Sequence, residues 1–222
     1  MCDSIKINHR KCNRLIILGS FHNLKLFFIN FLLESLNFLI RDSLKILILG
    51  IGNILFGDEG IGVHLSNLLK LNYKFSGEHS VDIIDGGTMA QHLIPLISEY
   101  DSVLIIDSID ANDAKVGDVY FFDFNAIPNA ITWAGSAHEV EMLQTLQMIE
   151  MLGDLPPTKI LGIKPFIIGE NTTFDLTQEV LQGAKLMEAQ VIKHLEALGV
   201  KAQKIDNRDL QEIARFSYRG YE

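Results

Sequence analysis

Lys45-Ile-Leu-Ile-Leu-Gly-Ile-Gly-Asn-Ile-Leu-Phe-Gly-Asp-Glu-Gly-Ile-Gly62 changes character partway along. Ile46 to Leu49 is a short continuous apolar run, the pattern of a strand buried on both faces. A glycine-rich turn follows. Two adjacent acids, Asp58 and Glu59, then open a helix, where carboxylates answer the positive end of the helix dipole. A strand, a glycine turn and a helix in this order place carboxylates at the carboxyl edge of a parallel sheet. Open α/β folds hold their ligands at that edge.

Outward from this stretch, short apolar strands alternate with longer amphipathic helices. Strands are predicted at 45–51, 81–85, 102–107, 118–124 and 158–164, and helices at 59–72, 89–99, 138–152 and 175–198. β-branched runs separated by helices predict an α/β protein with a mainly parallel sheet covered on both faces. In the last helix Leu176, Val180, Leu181, Ala184, Met187, Val191 and Leu195 form one apolar stripe, and Gly199 ends it. Connections at 109–117 and 125–137 are loops, the second with Pro128, Trp133 and Gly135 and placed to line a site. Pro156-Pro157 and Gly169-Glu-Asn-Thr-Thr173 mark further loops. Residues 200–222 read as a polar C-terminal tail with a short helix over 206–216.

The 222 residues suit one domain with an appendage, residues 44–199 carrying the core. Residues 1–43 hold a net charge of +3, and the remainder −12. Such an acidic body repels a phosphate backbone, which argues against nucleic acid as a partner. Both cysteines, Cys2 and Cys12, fall in the front segment. The body therefore has no disulfide and no thiol nucleophile, which suits a cytoplasmic protein. Leu24 to Ile40 is apolar but interrupted by Lys25, Asn30, Glu34 and Asn37, and is shorter than the about 20 residues that span a bilayer. No membrane span is expected. Three readings of the segment stay open: an amphipathic helix, an extension from an upstream start codon with translation beginning near Leu44, and a signal or anchor.

Three chemistry-bearing residues share an address. Glu59 follows the first strand, Asp107 closes the third, and His138 begins the helix after the long loop. Two carboxylates and an imidazole form an open site for a borderline divalent ion such as Zn²⁺ or Ni²⁺. Asp85, in Asp85-Gly-Gly-Thr88, points toward the same rim. Each has a plainer reading: Asp58 or Glu59 as a helix cap, Asp107 as a turn former, His138 as a first-turn residue. His64, His92 and His194 are expected to pack or to face solvent, and Asp110 and Asp113 to be solvated loop acids. Gly50-x-Gly52 followed by Gly57 is not a dinucleotide fingerprint. A Walker lysine, a Gly-x-Ser-x-Gly elbow and a His-Glu-x-x-His pair are all missing.

Gly50-x-Gly52-Asn53-x-Leu55-x-Gly57-Asp58-Glu59-Gly60-x-Gly62, then Asp85-Gly-Gly-Thr88, Ile105-Ile-Asp107 and Ser136-Ala-His-Glu139, resemble the nickel–iron hydrogenase maturation endopeptidases. The similarity covers roughly residues 45–198. It implies a three-layer α/β sandwich around a mixed, mostly parallel sheet of the phosphorylase/hydrolase-like kind. It also implies an endopeptidase that removes a short C-terminal extension from the hydrogenase large-subunit precursor once nickel is inserted. By position, the family's metal-contacting residues fall on Glu59, Asp107 and His138, and Asp85 matches a further acid. The nickel is implied to arrive with the substrate and not as a permanent cofactor. Residues 1–43 have no counterpart in the family, and Pro165-Phe166 stands where the family often shows Pro-Glu.

Other functional classes make different demands. A non-catalytic binding module or chaperone for the nickel-loaded subunit would bind the precursor and leave it uncut. A small-molecule hydrolase or nucleoside-binding protein would need stacking aromatics and phosphate donors, against the acidic rim. A protein that meets one partner at a time at a sheet edge is expected to be a monomer.

Overall fold

The computed structural model describes residues 43–132, 137–167 and 171–219. The chain divides into two compact units, Met1–Asp42 and Ser43–Glu222. The first, with the apolar run 24–40 and both cysteines, lies outside the described residues.

In the second unit, five strands make the central sheet: β1 (Lys45–Ile51), β3 (Ser80–Gly87), β4 (Ser102–Ser108), β5 (Val119–Asp123) and β6 (Thr158–Ile163). Their order is β3-β1-β4-β6-β5. The first four run parallel, and β5 pairs antiparallel with β6. β1 and β4 are almost wholly buried. This is why they read as continuous apolar runs, where the half-exposed β3 alternates.

Strand parity sorts the core into two layers. Ile46 and Ile48 of β1, with Leu104 and Ile106 of β4, pack toward α1 (Ile61–Asn72) and α4 (Gln178–Ala197). Leu47, Leu49, Val103 and Ile105 pack on the other face with Met142, Leu146 and Ile149 of α3 (Ala137–Leu152), and with Ile97 of the short helix α2 (Ile94–Ile97). The protein is thus a three-layer α/β sandwich around a mixed, mostly parallel sheet, as the sequence predicts.

Two regions differ from expectation. The helix expected over 89–99 is a 3-10 turn at Ala90–Leu93 followed by the single turn of α2, which carries Pro95 near its start. Residues after Gly199, read as a polar tail with a short helix over 206–216, form that helix as α5 (Leu210–Phe216) and add an unexpected strand, β7 (Lys201–Lys204). β7 pairs antiparallel with β2 (Tyr73–Ser76), and Leu210, Ile213 and Ala214 enter the core beside α1 and α4. The helix is legible from sequence; that Leu210, Ile213 and Ala214 enter the core, while Phe216 stays exposed, follows only from how it packs.

After β1 the chain proceeds to β3 on one side, and then crosses to β4 on the other. The switch point of the sheet therefore lies between β1 and β4, at their carboxyl ends.

Candidate functional site

Glu59 and Asp107 stand at this switch point. Glu59 belongs to the 3-10 turn Gly57–Gly60, which bridges β1 and α1. Two glycines make the turn possible. At Gly52 (φ +147°) a Cβ would overlap the carbonyl oxygen of Glu59, which accepts the Asn53 N–H at 3.1 Å. At Gly62 a Cβ would overlap the carbonyl oxygens of Ile51 and Ile106, so α1 begins directly on β1 and β4.

The two neighbouring acids divide the work. Asp58 is a clamp: its Oδ1 accepts the Thr177 N–H at 2.8 Å, and its Oδ2 accepts the Thr177 hydroxyl at 2.8 Å and the Phe166 N–H at 3.0 Å. Thr177 is in turn the N-cap of α4. Gly57 donates to the Thr173 carbonyl, and Thr173 donates back to Leu55. With Asp58 committed to structure, Glu59 is the acid left for chemistry. The Phe166 side chain is exposed, and the residue serves the clamp through its backbone. The bond to Asp58 therefore does not depend on which side chain stands at position 166.

Asp107 shares the parity of Val103 and Ile105, so its side chain projects to the face covered by α3, whose first turn carries His138. His138 Nε2 lies 3.9 Å from Glu59 Oε2, and His138 Nδ1 lies 3.8 Å from Asp107 Oδ1. All three residues are at most 8 % exposed. These separations are too long for hydrogen bonds. Neither oxygen of Asp107 accepts a well-formed hydrogen bond among the described residues, although the Ser108 N–H is near enough to pull against its shift.

Burial raises Glu59 above the ordinary carboxylate value. Asp107 is raised well above it, first by burial and then by the nearby Glu139 and Glu59 carboxylates. Burial lowers His138, with Glu141 pulling the other way, and a neutral imidazole is the ligand form. The arrangement is acid-rich and buried. Its two carboxylates face different nitrogens of one ring, so a single ion would meet only one of those nitrogens. Correspondingly, the described residues include no group of three or more His, Cys, Asp or Glu already gathered around one metal position.

Asp85 is placed apart from this cluster. It pairs in register with Gly50, at the level of Ile106 across β1, shares the parity of Val81 and Ile83, and projects from the face opposite Asp107. Its Oδ1 accepts the Gly87 N–H at 2.9 Å. Local desolvation raises it, against the opposing pulls of that N–H and of Lys70.

Three residues of the site have roles that the sequence did not reveal. Asp58 was indistinguishable from Glu59 by spacing. Glu139 was noted only as part of a motif, yet it is fully buried and accepts the Asp110 N–H at 3.1 Å. Asp110, expected to be solvated, is partly buried, ion-paired to Lys164 and bonded to the Thr132 hydroxyl at 2.9 Å. The Lys164 contact holds it below the ordinary carboxylate value. His64 is completely buried in α1, and burial pulls it down to about 4. Trp133 to Ser136, the last of which opens the His138 motif, and Gly169-Glu170 lie outside the described residues.

Around this edge four loop side chains are apolar and exposed: Leu55, Met89, Phe166 and Ile167. Val140, beside His138 on the first turn of α3, is exposed as well.

Fold and cluster define a class: α/β proteins that present carboxylates and an imidazole at a switch point, to a cation or to a bond under attack. Comparison with known proteins narrows it. The model of the hydrogenase maturation protease family HycI matches residues 63–194. Protein HydD of Wolinella succinogenes is 59% identical over 159 residues, which are 72% of this chain and 100% of HydD. The hydrogenase 2 maturation protease of Escherichia coli is 28% identical over 160 residues, 72% of this chain and 95% of that protein. Among solved structures, the hydrogenase maturating endopeptidase HybD from E. coli superposes with a TM-score of 0.61 at 26% identity, over 72% of this chain and 97% of HybD. A solution structure of an E. coli endopeptidase gives 0.64 at 27%, with the same coverage. The chain belongs to the hydrogenase maturation protease family, and it is an endopeptidase. The family, fold and enzyme class expected from the motifs are met.

Proposed function

We propose that this endopeptidase removes the C-terminal extension of a nickel–iron hydrogenase large-subunit precursor, after nickel has been inserted. The observation that carries the reading is the buried cluster of Glu59, Asp107 and His138 at the switch point. It is rich in carboxylates that repel one another, and no cation among the described residues pairs with Asp107. Nickel borne by the substrate would relieve that repulsion, and its binding energy would couple cleavage to metal insertion.

The bound nickel would polarise the scissile carbonyl or activate the attacking water. Asp85, across β1, is assigned as a general base or orienting residue reaching the substrate from the rim. Leu55, Met89, Phe166 and Ile167 would receive apolar side chains flanking the cut. Among the described residues no helix is long and apolar enough to cross a membrane. The reading has a monomer acting in the cytoplasm, which suits a body without cysteine.

Intact mass of nickel-loaded and nickel-free precursor, before and after incubation with the protein, tests this. Loss of a short C-terminal peptide from the loaded form alone is the expected result. Complex formation with a cognate loaded precursor but no change of mass would point instead to a holding role. Asp85→Asn is expected to slow cleavage, and intact processing by it beside an inactive Glu59→Gln would remove the base assignment.

A further inference from the structure

His138 sits at the very start of α3, where a helix has the fewest backbone bonds to hold it. The apolar anchors of α3 begin at Met142, a full turn further on. Two acids tie the start of α3: Glu141 Oε1 accepts the Gln91 N–H at 3.3 Å, and Glu139, next to His138, ties the helix at the site itself. Glu139 is 0 % exposed, and its Oε2 accepts the backbone N–H of Asp110 at 3.1 Å. Asp110 lies just beyond Asp107, where the chain leaves β4.

Asp110 is itself held from three directions. Its carbonyl accepts the Thr132 N–H at 3.1 Å, and its carboxylate takes the Thr132 hydroxyl and the Lys164 ammonium. Lys164 directly follows β6, the strand paired with β4. Ile109 also donates to the Ile163 carbonyl at 2.9 Å. The exits of β4 and β6 and the loop before α3 thus meet at one residue, to which Glu139 ties the helix carrying His138. A fully buried carboxylate is costly to keep, and this one spends an oxygen on a backbone N–H beside the site.

We propose that Glu139 is a positioning residue: through the Asp110 N–H it sets His138 against Asp107, with Lys164 and Thr132 holding Asp110 in place. The inference rests on the reading of Glu59, Asp107 and His138 as the substrate-facing cluster. Displacing a reacting group by about 1 Å costs on the order of a hundredfold in rate, so such a tie acts on turnover more than on binding.

The test compares wild type, Glu139→Ala, Glu139→Gln and Lys164→Met, with kcat and KM for nickel-loaded precursor read by mass and each fold checked by melting temperature. Glu139→Ala is expected to lower kcat by at least about tenfold with KM within about twofold, since an interaction felt mainly in the transition state is lost. Glu139→Gln keeps an acceptor oxygen and is expected to restore most of the rate. Lys164→Met loosens the hub from its partly exposed side and remains usable if Glu139→Ala fails to fold; a smaller loss of kcat at unchanged KM is expected. Hydrogen exchange at the Asp110 amide supplies a reading independent of cleavage: slow in wild type and Glu139→Gln, fast in Glu139→Ala. Wild-type kcat in a folded Glu139→Ala or Lys164→Met would overturn the proposal. A Glu139→Gln as impaired as Glu139→Ala, or an Asp110 amide equally protected in all variants, would do the same. Failure of the wild type to cut a confirmed loaded precursor would count against the processing reading, while the amide exchange still decides the tie.

Discussion

Asp58 and Glu59 show how little adjacency says about role. Asp58 accepts three hydrogen bonds, two from backbone N–H groups and one from a hydroxyl. Replacing it with alanine is expected to cost about 3 kcal/mol or more in urea unfolding, because buried donors lose a charged acceptor. Glu59→Gln should change the melting temperature little and abolish processing, since among the described residues that carboxylate accepts no hydrogen bond and lies 3.9 Å from His138 Nε2. Asp107→Asn should go further and raise the melting temperature at pH 7 while abolishing cleavage, because it removes a buried charge beside Glu139 and Glu59. The pH dependence follows the same logic. Asp107 has its folded pKa above the unfolded value, so its contribution favours the fold at low pH and is lost as pH rises through the raised value. The advantage of Asp107→Asn therefore shrinks on acidification. His64 runs the opposite way: lowered to about 4 by burial, it supports the fold above about pH 6.5 and withdraws that support as pH falls toward 4. A His64→Leu variant should out-melt wild type at pH 4.5, by roughly 2–3 kcal/mol, and lose that margin at pH 7.

At the scale of the element, β1 and β4 were readable because strands buried on both faces leave unbroken apolar runs. α4 was readable because its one-sided stripe has helical spacing. The trio was readable as an address: two strand ends and one helix start that a parallel sheet must bring to one edge. Alternation decides what happens there, and that was not readable. Asp107 shares the parity of the layer under α3 and meets His138, while Asp85 shares the parity of the layer under α1 and does not. The parity of each strand end depends on its register against β1, which only pairing fixes. Asp110 and Glu139 escaped notice for a related reason. A loop acid looks solvated until the distant lysine and helix that bury it are known. Gly52 carries an element-scale prediction: Gly52→Ala should destabilise the fold and silence processing together, because the Glu59 carbonyl loses the space it occupies. Far-UV circular dichroism with a cleavage assay would separate that joint loss from one confined to activity.

Across the whole molecule, residues 43–222 form a compact unit of their own. A chain beginning at Leu44 is expected to fold and to process loaded precursor at the rate of the full chain; a loss beyond about threefold in kcat/KM would assign residues 1–43 a part in recognition. Deleting residues 206–222 should do more harm than removal of a polar tail, because Leu210, Ile213 and Ala214 leave the core. Insolubility or a lowered melting temperature would show it. The Asp58 clamp reaches over 119 positions, from the start of α1 to the cap of α4. Ribosomes deliver a chain from its N-terminus, so the segment holding Glu59 emerges long before the partner that steadies it. A protease assembled in this order is expected to stay inert until the cap of α4 at Thr177 has left the exit tunnel and reached Asp58.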